Sequence, residues 1–121
     1  MRKKRNKYRN VRCEVNGIKF DSRKEMKRYS ELSVLLRTGL IADLVLQPEF
    51  KISSGGSIDP ATGRKMAARK YRADFMYFDR TLQKTVVEDV KSSPTARDKT
   101  YRLKRQLFIE LYGDMYKFME V

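Results

Sequence analysis

The sequence predicts a mixed α/β (α+β) fold, with helices packed on a mixed sheet in the order α, β, β, β, α, β. Three observations carry this expectation. Two helical runs free of internal glycine and proline each stop at a glycine, Gly39 and Gly113. Between them lie segments rich in aromatic and β-branched residues, separated by turn-forming stretches. The chain has 121 residues and is 40% hydrophobic, enough for one modest core, and it has no internal repeat.

Residues 1–12 (MRKKRNKYRNVR) hold seven cations, Arg2, Lys3, Lys4, Arg5, Lys7, Arg9 and Arg12, and no acid. They read as a flexible basic arm able to lie along phosphates, or as a tail that only aids solubility. Residues 13–121 read as a single domain. A short hairpin is expected over Arg12–Phe20, because Asn16 and Gly17 both accept the positive φ of a type I′ turn. The first helix is expected from Arg23 to Thr38, capped by Asp21 or Ser22. Glu25, Tyr29, Leu32 and Leu36 share one of its faces. A carboxylate at the end of an apolar stripe needs a reason: the helix dipole, a capping box with Ser22, or a partner.

Ile41–Ile52 reads as an approach segment and a strand, with Pro48 marking an edge or a break. Ser53–Lys65 is turn-forming and is expected to be a mobile hairpin loop. Lys70–Phe78 and Lys84–Lys91 are the next two strands. A second helix runs roughly from Ala96 to Tyr112, with Leu103, Leu107 and Leu111 as its apolar row, and a last strand carries Tyr116, Phe118 and Glu120.

The charge balance is the strongest global signal. Twenty-eight Lys and Arg against fifteen Asp and Glu give +13 and a sequence pI near 10.0, which favours polyanions, nucleic acid first. An anionic membrane surface is the weaker alternative; no run approaches the roughly 18 apolar residues of a spanning helix, and no membrane partner is expected. The single Cys13 cannot form an internal disulfide and fits a reducing, cytoplasmic setting.

The acids add chemistry to this frame. Asp89 and Lys91, two apart on a strand, point to one face, whereas Glu88 has the opposite parity. If residue 79 pairs with 84, Asp74 falls beside Asp89. Two adjacent carboxylates repel unless a cation stands between them. Oxygen ligation selects Mg²⁺ or Mn²⁺, and with no His and one Cys a zinc site is not expected. Taken alone, Asp89-Val90-Lys91 could equally be a cross-strand ion-pair element.

The combination of FDSRKE (20–25), LQPEF (46–50), YRADF (71–75), VVEDVKSS (86–93) and YRLKRQLF (101–108) resembles the PD-(D/E)XK nuclease superfamily. The wording is similar to small bacteriophage proteins, TnsA-like transposon endonucleases and Holliday junction resolvases. The resemblance covers about residues 20–121, with Ala73-Asp74 standing where the motif has Pro-Asp. It implies a restriction-endonuclease-like core and a metal-dependent DNA endonuclease in which Glu25, Asp74, Asp89 and Lys91 are catalytic. Glu25, Asp74, Asp89 and the Val90 carbonyl would hold Mg²⁺ or Mn²⁺. Lys104, with the arm cations Arg2, Lys3, Lys4, Arg5, Lys7 and Arg9, would bind DNA, and Gln47 and Glu49 would be auxiliary. The expected substrate is branched DNA cut by a homodimer, as in a phage Holliday junction resolvase acting in the host cytoplasm and serving DNA recombination. The alternatives are a TnsA-like nicking enzyme working beside a partner protein and a non-catalytic basic nucleic-acid-binding protein.

Overall fold

The computed structural model describes residues 13–92 and 98–121. The arm cations Arg2 to Arg12, and the start expected for the second helix at Ala96, lie outside the described residues.

A hairpin of β1 (Cys13–Val15) and β2 (Ile18–Phe20) opens the fold, with Asn16 at φ 53° and Gly17 at φ 77°, as the Asn-Gly turn requires. Helix α1 (Arg23–Arg37) follows. Ser22 caps it, its Oγ accepting from the Glu25 amide at 3.1 Å, and Gly39 at φ 81° follows its end. Next come β3 (Ile41–Leu46), β4 (Glu49–Ser53), β5 (Arg69–Arg72), β6 (Phe75–Asp79) and β7 (Lys84–Asp89). Helix α2 (Lys99–Tyr112) and β8 (Lys117–Glu120) close the described chain.

The mixed α and β composition is as expected, but five strands, not three, lie between the helices. The expected strands Ile41–Ile52 and Lys70–Phe78 are each broken in two. Pro48 has no amide to give a ladder, and Gln47 before it turns to φ 52°. Opposite this corner the second strand changes partners. The Ala73 amide donates to the Pro48 carbonyl (3.1 Å) and the Asp74 amide to the Glu88 carbonyl (3.0 Å), while Gln47 donates to the Asp74 carbonyl (2.9 Å). The result is a four-stranded sheet of order β3-β6-β7-β8 and a separate two-stranded β4–β5 sheet. Strand β8 runs parallel to β7, and the other pairs are antiparallel.

Each face of the four-stranded sheet is covered. On one face Phe75, Tyr77 and Val86 pack with Leu32 of α1, Ile41 and Phe20. On the other, Val87 packs with Phe108 of α2 and with Phe50, Ile52 and Tyr71 of the β4–β5 sheet. Two expected stripes are corrected by this packing. Leu36 of α1 is 40% exposed, and Leu35 packs inward instead. In α2, Leu107 packs inward as expected, but Leu103 and Leu111 are more than half exposed, and the inward row is completed by Tyr101, Phe108 and Tyr112. Aromatic rings bury more area per residue than leucine, so they set which side of the helix faces the core. Phe108 by itself stacks on Tyr112 and Tyr116 and meets Phe50, Tyr71 and Phe118 at tilted angles.

Candidate metal and nucleic-acid site

Strands β6 and β7 pair with Asp79 opposite Lys84 and Phe75 opposite Glu88, so residue numbers across the pair sum to 163. Asp74 therefore sits one step beyond the last pair, next to Asp89. The Val90 amide donates to Asp74 Oδ2 at 2.6 Å, tying this carboxylate to the end of β7. Asp89 is 1% exposed. Its Oδ2 accepts from the Tyr71 hydroxyl. Its Oδ1 lies 3.0 Å from Lys91 Nζ, yet takes no aligned hydrogen bond among the described residues. The Lys91 ammonium is thus the charge partner of this buried oxygen, while the neighbouring Asp74 carboxyl has the Val90 amide and, among the described residues, no ion pair.

The electrostatics follow from this crowding. Burial, then the Asp89 charge and contact, push the Asp74 carboxyl up to about 8, against the pull of the Val90 amide. Glu25, buried at the start of α1, is also raised, first by burial and then by Asp21, with Lys91 lowering and Asp89 raising it. The Tyr71 phenol is raised strongly by burial and by Asp89.

Lys91 is held from several sides. Its ammonium stands 4.8 Å over the Tyr101 ring, its amide donates to the Val121 carbonyl (3.2 Å), and its carbonyl accepts from Lys24 Nζ (2.8 Å). Tyr101 in turn donates to Glu120 Oε2 at 2.5 Å, and Arg105 Nε lies 3.2 Å from the same oxygen.

Asp74, Asp89, Lys91 and the Val90 amide thus come together, with Glu25 within electrostatic range. Among the described residues, no three His, Cys, Asp or Glu side chains form a metal-holding group. Two carboxylates remain, a number that suits Mg²⁺, which typically takes one or two carboxylates and completes its shell with water and phosphate oxygens. Lys104 is half-buried on α2, one turn beyond Tyr101. Glu49 is exposed, 3.4 Å from Lys70, and Gln47 acts through its backbone at the corner.

Glu88 stands apart from this group. It is fully buried on the α1 face, bound by Arg28 through Nε (2.7 Å) and a terminal nitrogen (2.6 Å), and by the Tyr77 hydroxyl. Strand parity separates it from Asp89, as expected from the sequence. Two residues of the site were not expected: Tyr71, the donor to Asp89, and Tyr101, the platform under Lys91. Tyr71 had a legible signal as the one aromatic residue in the cationic run Arg69–Arg72; Tyr101 had none beyond its place at a helix start.

The family model described as "Protein of unknown function (DUF1064)" matches residues 5–120. The chain belongs to DUF1064. No curated protein and no solved structure matches it. In this DUF1064 member the matched span contains Glu25, Asp74, Asp89, Lys91 and Lys104 together with Tyr71, Tyr101 and Glu120. Among the described residues, no helix is long and apolar enough to cross a membrane.

Proposed function

We propose that this chain is a metal-dependent DNA endonuclease of PD-(D/E)XK type that hydrolyses phosphodiester bonds in branched DNA. The observation that carries the reading is the adjacent Asp74–Asp89 carboxylate pair where β6 begins and β7 ends, with Lys91 Nζ 3.0 Å from Asp89 Oδ1. Asp74 and Asp89 would hold Mg²⁺ or Mn²⁺ with the Val90 carbonyl, while Glu25, which among the described residues forms no three-carboxylate group with them, would act through its charge. The ion, when bound, supplies Lewis-acid stabilisation and a more acidic water. The protein's own part is positional. Tyr71 and the Val90 amide fix the two carboxylates, and Tyr101 holds the Lys91 ammonium where it can donate to a phosphate oxygen or to the attacking water. The +13 charge draws the polyanion in, and Lys104 stands one turn away to bind a neighbouring phosphate. Symmetric cuts across a branch point call for two such sites, hence a homodimer.

The test is incubation of the purified chain with a four-way junction and a linear duplex, in Mg²⁺, Mn²⁺ or EDTA. Cutting is expected with either metal and none in EDTA. Asp74→Asn, Asp89→Asn and Lys91→Ala should each lower the rate by about 10²–10³ or more while binding survives. Undiminished cutting in EDTA, or by an Asp74→Asn/Asp89→Asn double variant, would overturn the reading.

A further inference from the structure

The β4–β5 arm, Glu49 to Arg72, carries six cations, Lys51, Arg64, Lys65, Arg69, Lys70 and Arg72, against two acids, Glu49 and Asp59. Glu49 lies 3.4 Å from Lys70, and Asp59 Oδ1 accepts from the Ala61 amide at 2.8 Å. Among the described residues, the other five cations are in no ion pair. Since Phe50, Ile52 and Tyr71 turn inward to α2, Lys51, Lys70 and Arg72 lie on the outer face.

Beyond β4 and β5 the arm narrows to an internally bonded ribbon. The Gly56 amide donates to the Met66 carbonyl, Met66 to Ser57 and Asp59 to Arg64, each at 2.8 Å, and Ile58 pairs with Lys65. Gly56, at φ 88°, is the first residue of a G1-type bulge. At Gly55 a Cβ would meet the Ala68 nitrogen at 2.4 Å, so only glycine permits the two limbs to approach this closely. The ribbon is therefore preorganised, which lowers the ordering cost of binding.

Two large apolar side chains face water on it, Ile58 at 60% exposed and Met66 at 48%. Met66 lines a groove with Ser57 and Lys65, whereas Ile58, bridged to Lys65, is not among the residues lining that groove. A protein-docking surface would gather its apolar residues on one side. One apolar residue in the groove and one outside it, on a narrow ribbon flanked by cations outside any ion pair, is instead the composition of a wedge between base steps.

We infer that the β4–β5 arm is a DNA wedge: Ile58 and Met66 enter an opened base step at a branch point, and Arg64, Lys65 and Arg69 grip the flanking phosphates. These three cations line one groove with Met66, with Ser53, Ser57 and Thr62, whose hydroxyls can donate to the same oxygens, and with one acid, Asp59, so cations outnumber carboxylates three to one. This role rests on the proposed DNA substrate and supplies the feature that would distinguish branched from linear DNA. Unstacking a duplex step costs a few kcal/mol, a cost that is smallest where pairing is already interrupted.

The test reads binding in EDTA, so no turnover is needed. The full chain and an Ile58→Ser/Met66→Ser variant are titrated onto a four-way junction and a linear duplex of equal length. The junction carries 2-aminopurine at the branch point. The unsubstituted chain should raise its fluorescence by unstacking it. The serine variant should lose that rise and bind the junction about tenfold more weakly, the worth of roughly one buried apolar side chain, with duplex affinity unchanged. Arg64→Gln/Lys65→Gln/Arg69→Gln should weaken both, with the slope of log affinity against log salt falling by about 0.9 for every phosphate no longer neutralised. A serine variant that keeps the fluorescence rise, or that weakens junction and duplex alike, overturns the wedge. A chain with these binding effects that cuts nothing in Mg²⁺ overturns the nuclease reading alone; one that cuts but ignores the serine substitutions overturns the wedge alone. Failure to bind either DNA overturns both.

Discussion

Asp74 and Asp89 receive different support from the fold. Asp89 accepts from Tyr71 at one oxygen and faces Lys91 at the other, whereas Asp74 has the Val90 amide and a carboxylate neighbour. Asp74 consequently stays protonated up to about 8 without a bound cation. A carboxyl whose folded pKa lies above its unfolded value of 3.8 contributes stability below the unfolded pKa and loses it as pH rises through the folded one. The chain has no histidine, and Glu25 is the other carboxyl that burial raises. We therefore expect the denaturation midpoint in EDTA to fall as pH rises from about 5.5 to about 8.5, and Asp74→Asn to flatten most of that fall. Adding Mg²⁺ at the alkaline end should restore stability, because a cation removes the repulsion that the lost proton had masked. A midpoint equally pH-dependent in the variant would locate the effect elsewhere.

At the scale of elements, α1 is anchored to β7 through a buried ion pair. Glu88 is fully buried and Arg28 is 20% exposed, so removing the cation leaves a carboxylate with only the Tyr77 hydroxyl. Arg28→Ala should cost about 3 kcal/mol in urea unfolding, the low end for an unpaired buried charge. Glu88→Gln should keep cutting per folded molecule near the original rate, since Glu88 lies on the face away from Lys91; loss of turnover with normal stability would refute this separation. The register that places these residues was legible in the sequence. A four-residue turn at Arg80–Gln83, closed by Asp79 Oδ1 accepting from the Thr81 (2.9 Å) and Leu82 (3.0 Å) amides, leaves little freedom in how β6 meets β7. The strand breaks were less legible. Pro48 announced one of them, but the change of partner at Ala73-Asp74 depends on β4 bending away, a tertiary event with no local marker. The inward row of α2 was hidden for a related reason: leucines spaced by four satisfy helical periodicity on either face, and only the neighbouring Phe50, Tyr71 and Phe118 decide which face is buried.

For the molecule as a whole, a three-layer arrangement of α1, sheet and α2 leaves the carboxylate pair where β6 begins and β7 ends, with the β4–β5 arm branching from the same corner. Charge is spread more widely than the site. Deleting residues 1–12 removes seven cations and should make DNA affinity less salt-dependent, by about 0.9 in log–log slope for each phosphate that those cations neutralise. The rate at saturating DNA should hold, because every proposed ligand lies after residue 12. An unchanged slope would mean that the N-terminal segment does not meet phosphates.

The bond from the Val90 amide to Asp74 Oδ2, 2.6 Å long, makes one backbone proton a reporter on the carboxylate. The amides of Gln47 and Asp74, bonded to the carbonyls of Asp74 and Glu88, should exchange with deuterated solvent only when the sheet opens. The Val90 proton instead depends on the charge of a side chain, and a cation competing for that oxygen would weaken its bond. Titrating Mg²⁺ into ¹⁵N-labelled protein should therefore shift the Val90 amide resonance and quicken its exchange, while Gln47 stays protected. A metal site could in this way be detected before any DNA is added.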